Sequence, residues 1–422
     1  MNVFNQIRLN HWNDVMRAQL AVPLRIILWN GQQFDFSQEP PRVTIRVPRP
    51  SALRYLLSPS LYNLGSAYVE GAIEVSGRAD DMIAVVNALA RTGARDKPSL
   101  MARVLGLLGT RHTRQQDAEA IQYHYDVSNE FYRAWLDPSL VYSCAYFETG
   151  TEDLATAQLK KIDHILAKID LRPGQTLLDI GCGWGALVIR AAERFGARCV
   201  GITLSENQAL LAREQVARAG LAHLVEIRLQ DYRDVSGRFD RITSVGMFEH
   251  VGIAHLAEYF GRINALLAPN GVAMNHGLTS TDVKCRGTPY GGGEFINRYV
   301  FPHGELAHLG TVMRSMQEGG LEVRDVENLR RHYARTCAIW TENFEANAER
   351  IRQLTDPKRF RIWHVYLAGC TYAFEHDWIS LYQIVCGKAG QDPAVIPWSR
   401  RYMYAAPAPA GRLTSGDLQT SP

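Results

Sequence analysis

The sequence predicts a doubly wound α/β fold, a mostly parallel sheet with helices on both faces, together with a smaller N-terminal domain. Three observations predict it. Short apolar or β-branched runs, TLLDIG, RCVGITL, VEIRLQD, RITSVGM and GVAMNHGL, alternate with helically spaced segments between about Gln175 and Leu278. The first run ends in the glycine-rich turn GCGWG, which leads straight into the helical pattern LVIRAAERFG. At 422 residues the chain is also too long for one ordinary core; a prior of about 150 residues per domain suggests one large domain with an appendage.

Composition sets the class. A hydrophobic fraction of 46% with 21% charged residues is that of a folded globular chain. The seven cysteines form no CxxC pair and no His/Cys cluster at zinc spacing, which points to a reducing compartment and no structural metal. No charged leader precedes an apolar core at the N-terminus, and no apolar run reaches the roughly 18 residues of a membrane span. The expectation is a protein neither secreted nor membrane-spanning. Net charge is +3, and residues 1–120 hold fourteen Lys/Arg against ten Asp/Glu. That bias fits either a solvated face or an anionic membrane surface.

Along the chain, residues 1–110 read as the small domain. They comprise an early helix to about Leu20, a short strand pair around Leu24 to Val47, then helices, with LGSAYVEGAIEVSG ending in a turn and a short strand. Residues 111–395 form the catalytic domain, in which AEAIQYHYD has helical spacing before the glycine loop. The tail, 396–422, is rich in Ala, Pro, Ser and Gly and reads as disordered. There is no internal repeat.

LLDIGCGWG places Asp179, Gly181, Gly183 and Gly185 where the first strand turns into its helix, so that a ligand can approach the backbone. The spacing is GxGxG with a carboxylate two residues earlier, and no P-loop Lys-Ser/Thr follows. It resembles the Rossmann-like S-adenosylmethionine loop of the class I methyltransferases; a dinucleotide site or a purely structural turn are the alternatives. Such sheets usually end the second strand with an acidic residue for the ribose. Here Thr203 stands in that place, with Gln208 one turn into the next helix as a second neutral hydrogen-bonding group. Asp231 and Tyr232, in QDYRD at the third strand's end, suit the adenine edge and face, or form a polar loop.

Read together, YHYDVSNEFYRAWLDPSLVYSCAYF, LLDIGCGWG, GITLSENQ, SVGMFEHVG, INRYVFPHGEL and YLAGCTYAF resemble the cyclopropane-fatty-acyl-phospholipid synthases, the family that includes the mycolic acid cyclopropane synthases. The resemblance runs from about Tyr123 to Lys388, and LGSAYVEGAIEV is similar to the smaller domain of the bacterial phospholipid enzymes. It implies methylene transfer from S-adenosylmethionine to the cis double bond of an unsaturated acyl chain, through a carbocation, with bicarbonate taking the proton that ring closure releases.

The resemblance also implies roles. Tyr142 and Ser143 close over the methionine end of the cofactor, and Cys144 lines the reaction pocket. Cys144, Glu249, His276 and Tyr333 grip the bicarbonate, with His276 donating, Glu249 as its acceptor or orienter, and Tyr333 offering its hydroxyl. Cys370 matches a cysteine once regarded as the family's active-site residue; a carbocation needs no thiolate, so a pocket role is expected. Phe248, Tyr299 and Phe301 are candidates for stabilising positive charge. Taken singly, His276 reads as a satisfied structural histidine, and the cysteines and aromatics read as core.

The implied substrate is a phospholipid acyl chain at the membrane surface, handled by a cytoplasmic, peripherally associated enzyme. VPLRIILW, SALRYLLSPSLYNL and MARVLGLLG, edged by Arg, suit either membrane contact or the small domain's own core. A homodimer is compatible with the resemblance. The rivals are a relative that methylates the same alkene without closing a ring, a small-molecule or nucleic-acid methyltransferase, and a non-catalytic lipid binder. Amino-directed nucleic-acid enzymes want Asn/Asp-Pro-Pro-aromatic where this chain has GMFEHVG, and no basic stripe is present, which excludes a nucleic-acid partner. A lipid binder would have lost cofactor glycines.

Overall fold

A computed structural model describes residues 20–93, 127–285, 288–302, 304–392 and 396–404. Residues 1–19, where the first helix is expected, the segments AEAIQYHYD and MARVLGLLG, and the tail beyond Tyr404 lie outside the described residues. The chain divides into two compact units. The first joins Met1–Trp135, Ser280–His308 and Tyr333–Ser380; the second joins Leu136–Thr279, Leu309–His332 and Leu381–Pro422.

In the first unit, β1 (Leu24–Leu28), β2 (Gln33–Asp35), β3 (Val43–Val47) and β4 (Glu74–Ser76) form a sheet of order β2-β1-β3-β4. The expected strand pair is therefore three strands: β2 pairs antiparallel with β1, and β3 returns parallel to it. No hairpin turn joins β1 to β3, so local turn signals do not reveal that partner. Period-2 alternation buries Leu24, Ile26 and Leu28 of β1 and Val43, Ile45 and Val47 of β3. They pack with Leu64 and Ala67 of α1 (Leu61–Val69) and Val85 and Leu89 of α2 (Ala79–Gly93). VPLRIILW and SALRYLLSPSLYNL thus supply mainly this core; only Trp29 (41%) and Leu57 (65%) are large apolar residues left exposed within them.

The second unit carries α3 (Leu154–Lys168), β5 (Thr176–Ile180), α4 (Ala186–Phe195), β6 (Arg198–Thr203), α5 (Glu206–Arg218), β7 (Val225–Leu229), β8 (Phe239–Val245), α6 (Leu256–Leu266), β9 (Leu267–Ser280), β10 (Leu321–Asn328) and β11 (Ile379–Lys388). Their order is β10-β11-β9-β8-β5-β6-β7, parallel from β9 to β7, with β10 antiparallel to β11. Strand order reverses at β5, which has β6 on one side and β8 on the other, so the loops after β5 and β8 open at the sheet's switch point. Ile162, Ile165 and Leu166 of α3, Val188 and Ala191 of α4, and Leu177, Met274 and Val385 of the sheet form the buried core beneath.

Two longer helices, α7 (Arg330–Ala346) and α8 (Pro357–Glu375), follow β10. Within the first unit a partly buried chain of hydrogen bonds links four helices: Tyr68 Oη to His364 Nδ1 (3.2 Å), His364 Nε2 to Glu345 Oε1 (3.1 Å), and the Ala79 amide donating to the same Glu345 oxygen (2.8 Å). No helix among the described residues is long and apolar enough to cross a membrane.

Candidate active site

The glycine loop follows β5 in the second unit, at the switch point. Gly181, Gly183 and Gly185 have φ of +81°, +54° and +89°, a region that disfavours side chains. At Gly183 a Cβ would meet no atom within 4 Å, so the loop has room on that side, whereas at Gly185 it would lie 3.3 Å from Ala212 Cβ on α5. Asp179, 2% exposed, accepts a hydrogen bond from Thr243 Oγ1 at 2.7 Å. Burial pushes its carboxyl up to about 6, with the Thr243 bond and the Lys161 charge pulling the other way.

At the end of β6, Thr203 Oγ1 donates to Gln208 Oε1 at 2.8 Å, and both residues are buried. Ser205 caps α5 by accepting from the Gln208 amide. The two neutral groups expected at the ribose position therefore form one unit, with the side-chain nitrogen of Gln208, Nε2, left to donate. Asp231 and Tyr232 do stand at the end of β7, but Asp231 is engaged: Arg233 donates to its two oxygens at 2.9 and 2.6 Å. The Tyr232 ring packs edge-on to Tyr259 at 5.0 Å. An arginine two residues on, forming a local clamp, is the signal the sequence reading passed over.

Tyr142, Ser143 and Cys144 belong to an irregular segment fixed by its neighbours. Asp137 accepts from the amides of Ser139 (2.8 Å) and Val141 (2.9 Å), closing a turn in which Leu140 has φ +55°. From α3, Gln158 Nε2 donates to the carbonyls of Val141 (3.2 Å) and Ser143 (2.8 Å), and Lys161 Nζ donates to Ser143 Oγ at 2.7 Å. Cys144 is fully buried, and its thiol faces the carbonyls of Ala145 (3.2 Å) and Leu329 (3.9 Å).

Glu249 sits in the 3-10 turn Phe248–His250 after β8, and His276 on β9 is in register with Val245. The Leu278 amide donates to Glu249 Oε1 at 2.6 Å, so the carboxylate lies against the strand two residues beyond His276. Gly277 allows this approach, because a Cβ there would fall 1.8 Å from the Phe248 ring. The orienting partner of His276 differs from the expected Glu249. It is Gln383 on β11, whose Nε2 lies 3.2 Å from His276 Nδ1. With the amide donating, Nδ1 accepts and the proton resides on Nε2.

Burial pushes the Glu249 carboxyl up to about 7, and holds His276 well below its ordinary value, so the imidazole is neutral. Glu249 Oε2, His276 Nε2, Gln383 Oε1, Thr279 Oγ1 and both side-chain polar atoms of Asn275 are buried with no hydrogen-bond partner among the described residues. In an interior nearly every buried polar group is paired, so these atoms stand out; along β9, Asn275 and Thr279 alternate with His276 and point to the opposite face of the sheet. In this tautomer His276 Nε2 carries a hydrogen to donate, and a protonated Glu249 carboxyl can do the same.

Tyr333 and Cys370 lie in the first unit. Tyr333 packs on Phe374 (4.6 Å between centroids) and Trp340 (5.9 Å). Cys370 is on α8, and burial pushes its thiol up to about 12, which leaves it protonated at neutral pH. Of the aromatic candidates, Phe248 is buried against Gly277, Phe301 packs edge-on to Tyr366 (6.0 Å), and Tyr299 already has Arg298 and Lys358 over its ring while its hydroxyl donates to Glu70 at 3.2 Å.

Comparison with known proteins bears on these arrangements. A family model described as mycolic acid cyclopropane synthetase matches residues 112–384, and one for a domain of unknown function matches residues 11–97. A protein of Pseudomonas putida named probable fatty acid methyltransferase is 46% identical over 388 residues, 91% of this chain and 97% of the relative. Cyclopropane mycolic acid synthase 1 of Mycobacterium tuberculosis is 36% identical over 64% of this chain and 96% of its own length. Among solved structures, the cyclopropane synthase MmaA2 from Mycobacterium tuberculosis superposes with a TM-score of 0.61 at 33% identity, and CmaA1 complexed with SAH and CTAB with 0.61 at 35%; each covers 64% of this chain and 98% of the other. The seven-stranded sheet is that of the S-adenosylmethionine-dependent methyltransferases, and the chain belongs to the mycolic acid cyclopropane synthetase family.

Proposed function

We propose that the protein transfers a methylene from S-adenosylmethionine to the cis double bond of unsaturated acyl chains in membrane phospholipids, forming a cyclopropane ring. The observation that carries this reading is that Glu249 Oε2 and His276 Nε2, after β8 and on β9, are buried with no hydrogen-bond partner among the described residues; burial raises the Glu249 carboxyl and keeps His276 neutral. An ordinary methyl transfer to nitrogen or oxygen does not call for an anion site buried in the sheet. Ring closure on an alkene does.

An isolated alkene is a weak nucleophile, and a sulfonium methyl is the electrophile it can attack. The new carbon–carbon bond leaves S-adenosylhomocysteine and a cation on the acyl chain; loss of a proton from the added methyl lets its electron pair close the ring. A bicarbonate ion, when bound, supplies the base for that proton. The chain's part is to hold it. His276 Nε2–H donates, Gln383 fixes the tautomer, Glu249 offers a carboxyl oxygen, and the family pattern adds Cys144. Asp179, Thr203, Gln208, Asp231 and Tyr232 hold the adenosine, and Tyr142 and Ser143 the methionine end. A dry pocket protects the cation from water.

A second reading, methylation of the same alkene without ring closure, is favoured by one observation: the relative at 46% identity is named as a fatty acid methyltransferase. For the substrate's location we propose a peripheral, cytosol-facing association with the bilayer, supported by exposed Trp29 and Leu57 in the N-terminal segment.

The test incubates purified protein with S-adenosylmethionine, bicarbonate and vesicles of cis-unsaturated phospholipid, followed by gas chromatography and mass spectrometry of the fatty esters. The expected product is heavier by one methylene and resists hydrogenation. The same mass in a chain that still takes up hydrogen establishes the second reading, and no acyl product overturns both.

A further inference from the structure

We propose that Lys161 is a positioning residue that sets the Ser143 hydroxyl as a hydrogen-bond donor toward the carboxylate at the amino-acid end of S-adenosylmethionine. The inference rests on the reading that Ser143 meets that end of the cofactor; it is independent of the acyl chemistry.

Gln158 and Lys161 are three residues apart on α3, so both side chains leave the helix on one face. That face holds the Tyr142–Cys144 segment by three bonds, two from Gln158 to the carbonyls of Val141 and Ser143 and one from Lys161 to Ser143 Oγ. The Gln158 bonds fix the backbone. The Lys161 bond fixes a proton: an ammonium only donates, so Ser143 Oγ must accept from it, and the hydroxyl's own hydrogen is turned elsewhere. No acceptor for that hydrogen exists among the described residues.

The choice of residue is itself informative. Lys161 is 2% exposed, its only hydrogen bond goes to a neutral hydroxyl, and no carboxylate stands within ion-pair distance of it among the described residues. Burying an unpaired ammonium is costly, and a methionine would fill the same volume without that cost. Burial lowers its pKa to about 8, opposed by Cys144, Asp137 and Asp179, so the charge persists at neutral pH. Two of those three residues were already assigned to the cofactor and the pocket. A fixed cation there favours an anionic group placed on the far side of Ser143, and the hydroxyl relays it by a directed donor.

The test compares binding of S-adenosylhomocysteine with that of 5′-methylthioadenosine, which keeps the adenosine and lacks the amino acid, by titration calorimetry. In Lys161→Met, S-adenosylhomocysteine should bind about tenfold more weakly while 5′-methylthioadenosine binds as in the wild type. Ser143→Ala, which leaves the helix core untouched, should show the same selective loss, and the double variant should be no worse than the weaker single one. Unchanged S-adenosylhomocysteine binding in Ser143→Ala overturns the proposal even where Lys161→Met does not fold. Equal loss of both ligands in Lys161→Met overturns it in favour of a structural role. Neither measurement uses an acyl substrate, so a failed cyclopropane assay and a failure here are separate results.

Discussion

The two sides of the sheet's switch point handle buried polarity in opposite ways. On the β5–β6 side, Asp179 is bonded to Thr243, Thr203 to Gln208, and Ser205 to the helix it caps. On the β8–β9–β11 side, Glu249, Asn275, His276, Thr279 and Gln383 each keep a buried polar atom without a partner among the described residues. Both sides share one sheet and one core, so the difference is not general loose packing. The first side meets its polar groups with pre-formed pairs, while the second leaves polar atoms unpaired at a cost in stability, and the proposed function assigns cofactor binding to the first and chemistry to the second.

Variants can break or sharpen that contrast. The largest effect is expected for Gly183→Val, where a β-branched residue must adopt φ +54° on the open side of the loop. Affinity for S-adenosylhomocysteine by calorimetry should drop at least about a hundredfold. Next is Gly277→Ala. Its Cβ would overlap the Phe248 ring and displace the turn that carries Glu249. Methyl transfer should fall by roughly tenfold or more, with cofactor affinity within about threefold of wild type.

Stability should respond in the opposite direction on the β9 side. The Glu249 carboxyl, raised from 4.5 to about 7 in the folded chain, is more easily deprotonated when unfolded. Its burial is without penalty below pH 4.5, costs progressively more as pH rises to about 7, and costs a constant amount above that. Glu249→Gln, whose amide carbonyl still accepts from Leu278, should therefore resist chemical denaturation better than wild type at pH 8, by up to about a few kcal/mol of unfolding free energy, with the gain vanishing near pH 4.5. The smallest effect is expected for Thr203→Val, a several-fold loss of cofactor affinity with unchanged rate at saturation, read from the KM-against-kcat split.

What the sequence revealed followed the locality of each feature. The glycine loop, Asp179 and the alternation of strands and helices were legible because a motif and a period are contained in one short stretch. Glu249 and His276 stood out only through resemblance, since neither residue is distinctive alone, and the expected contact between them is replaced by Gln383. Gln383 did not, because it reaches His276 from a strand 107 residues later. Gln158 and Lys161 act through contacts with a segment 15 to 18 residues earlier, and Gly277 through a close approach of the Phe248 ring, none of which a local pattern marks. The parallel pairing of β1 with β3 and the clamp of Arg233 on Asp231 are likewise contacts, not patterns.

The central claim is that the β8–β9–β11 side serves the reaction and not cofactor binding. The most direct test measures, on one preparation of Glu249→Gln, the Kd for S-adenosylhomocysteine and the rate of label transfer from methyl-labelled S-adenosylmethionine to acyl lipid. The account expects the Kd to stay within about threefold and the rate to fall at least about a hundredfold. A Kd that weakens in step with the rate, or a rate that survives the substitution, would contradict it.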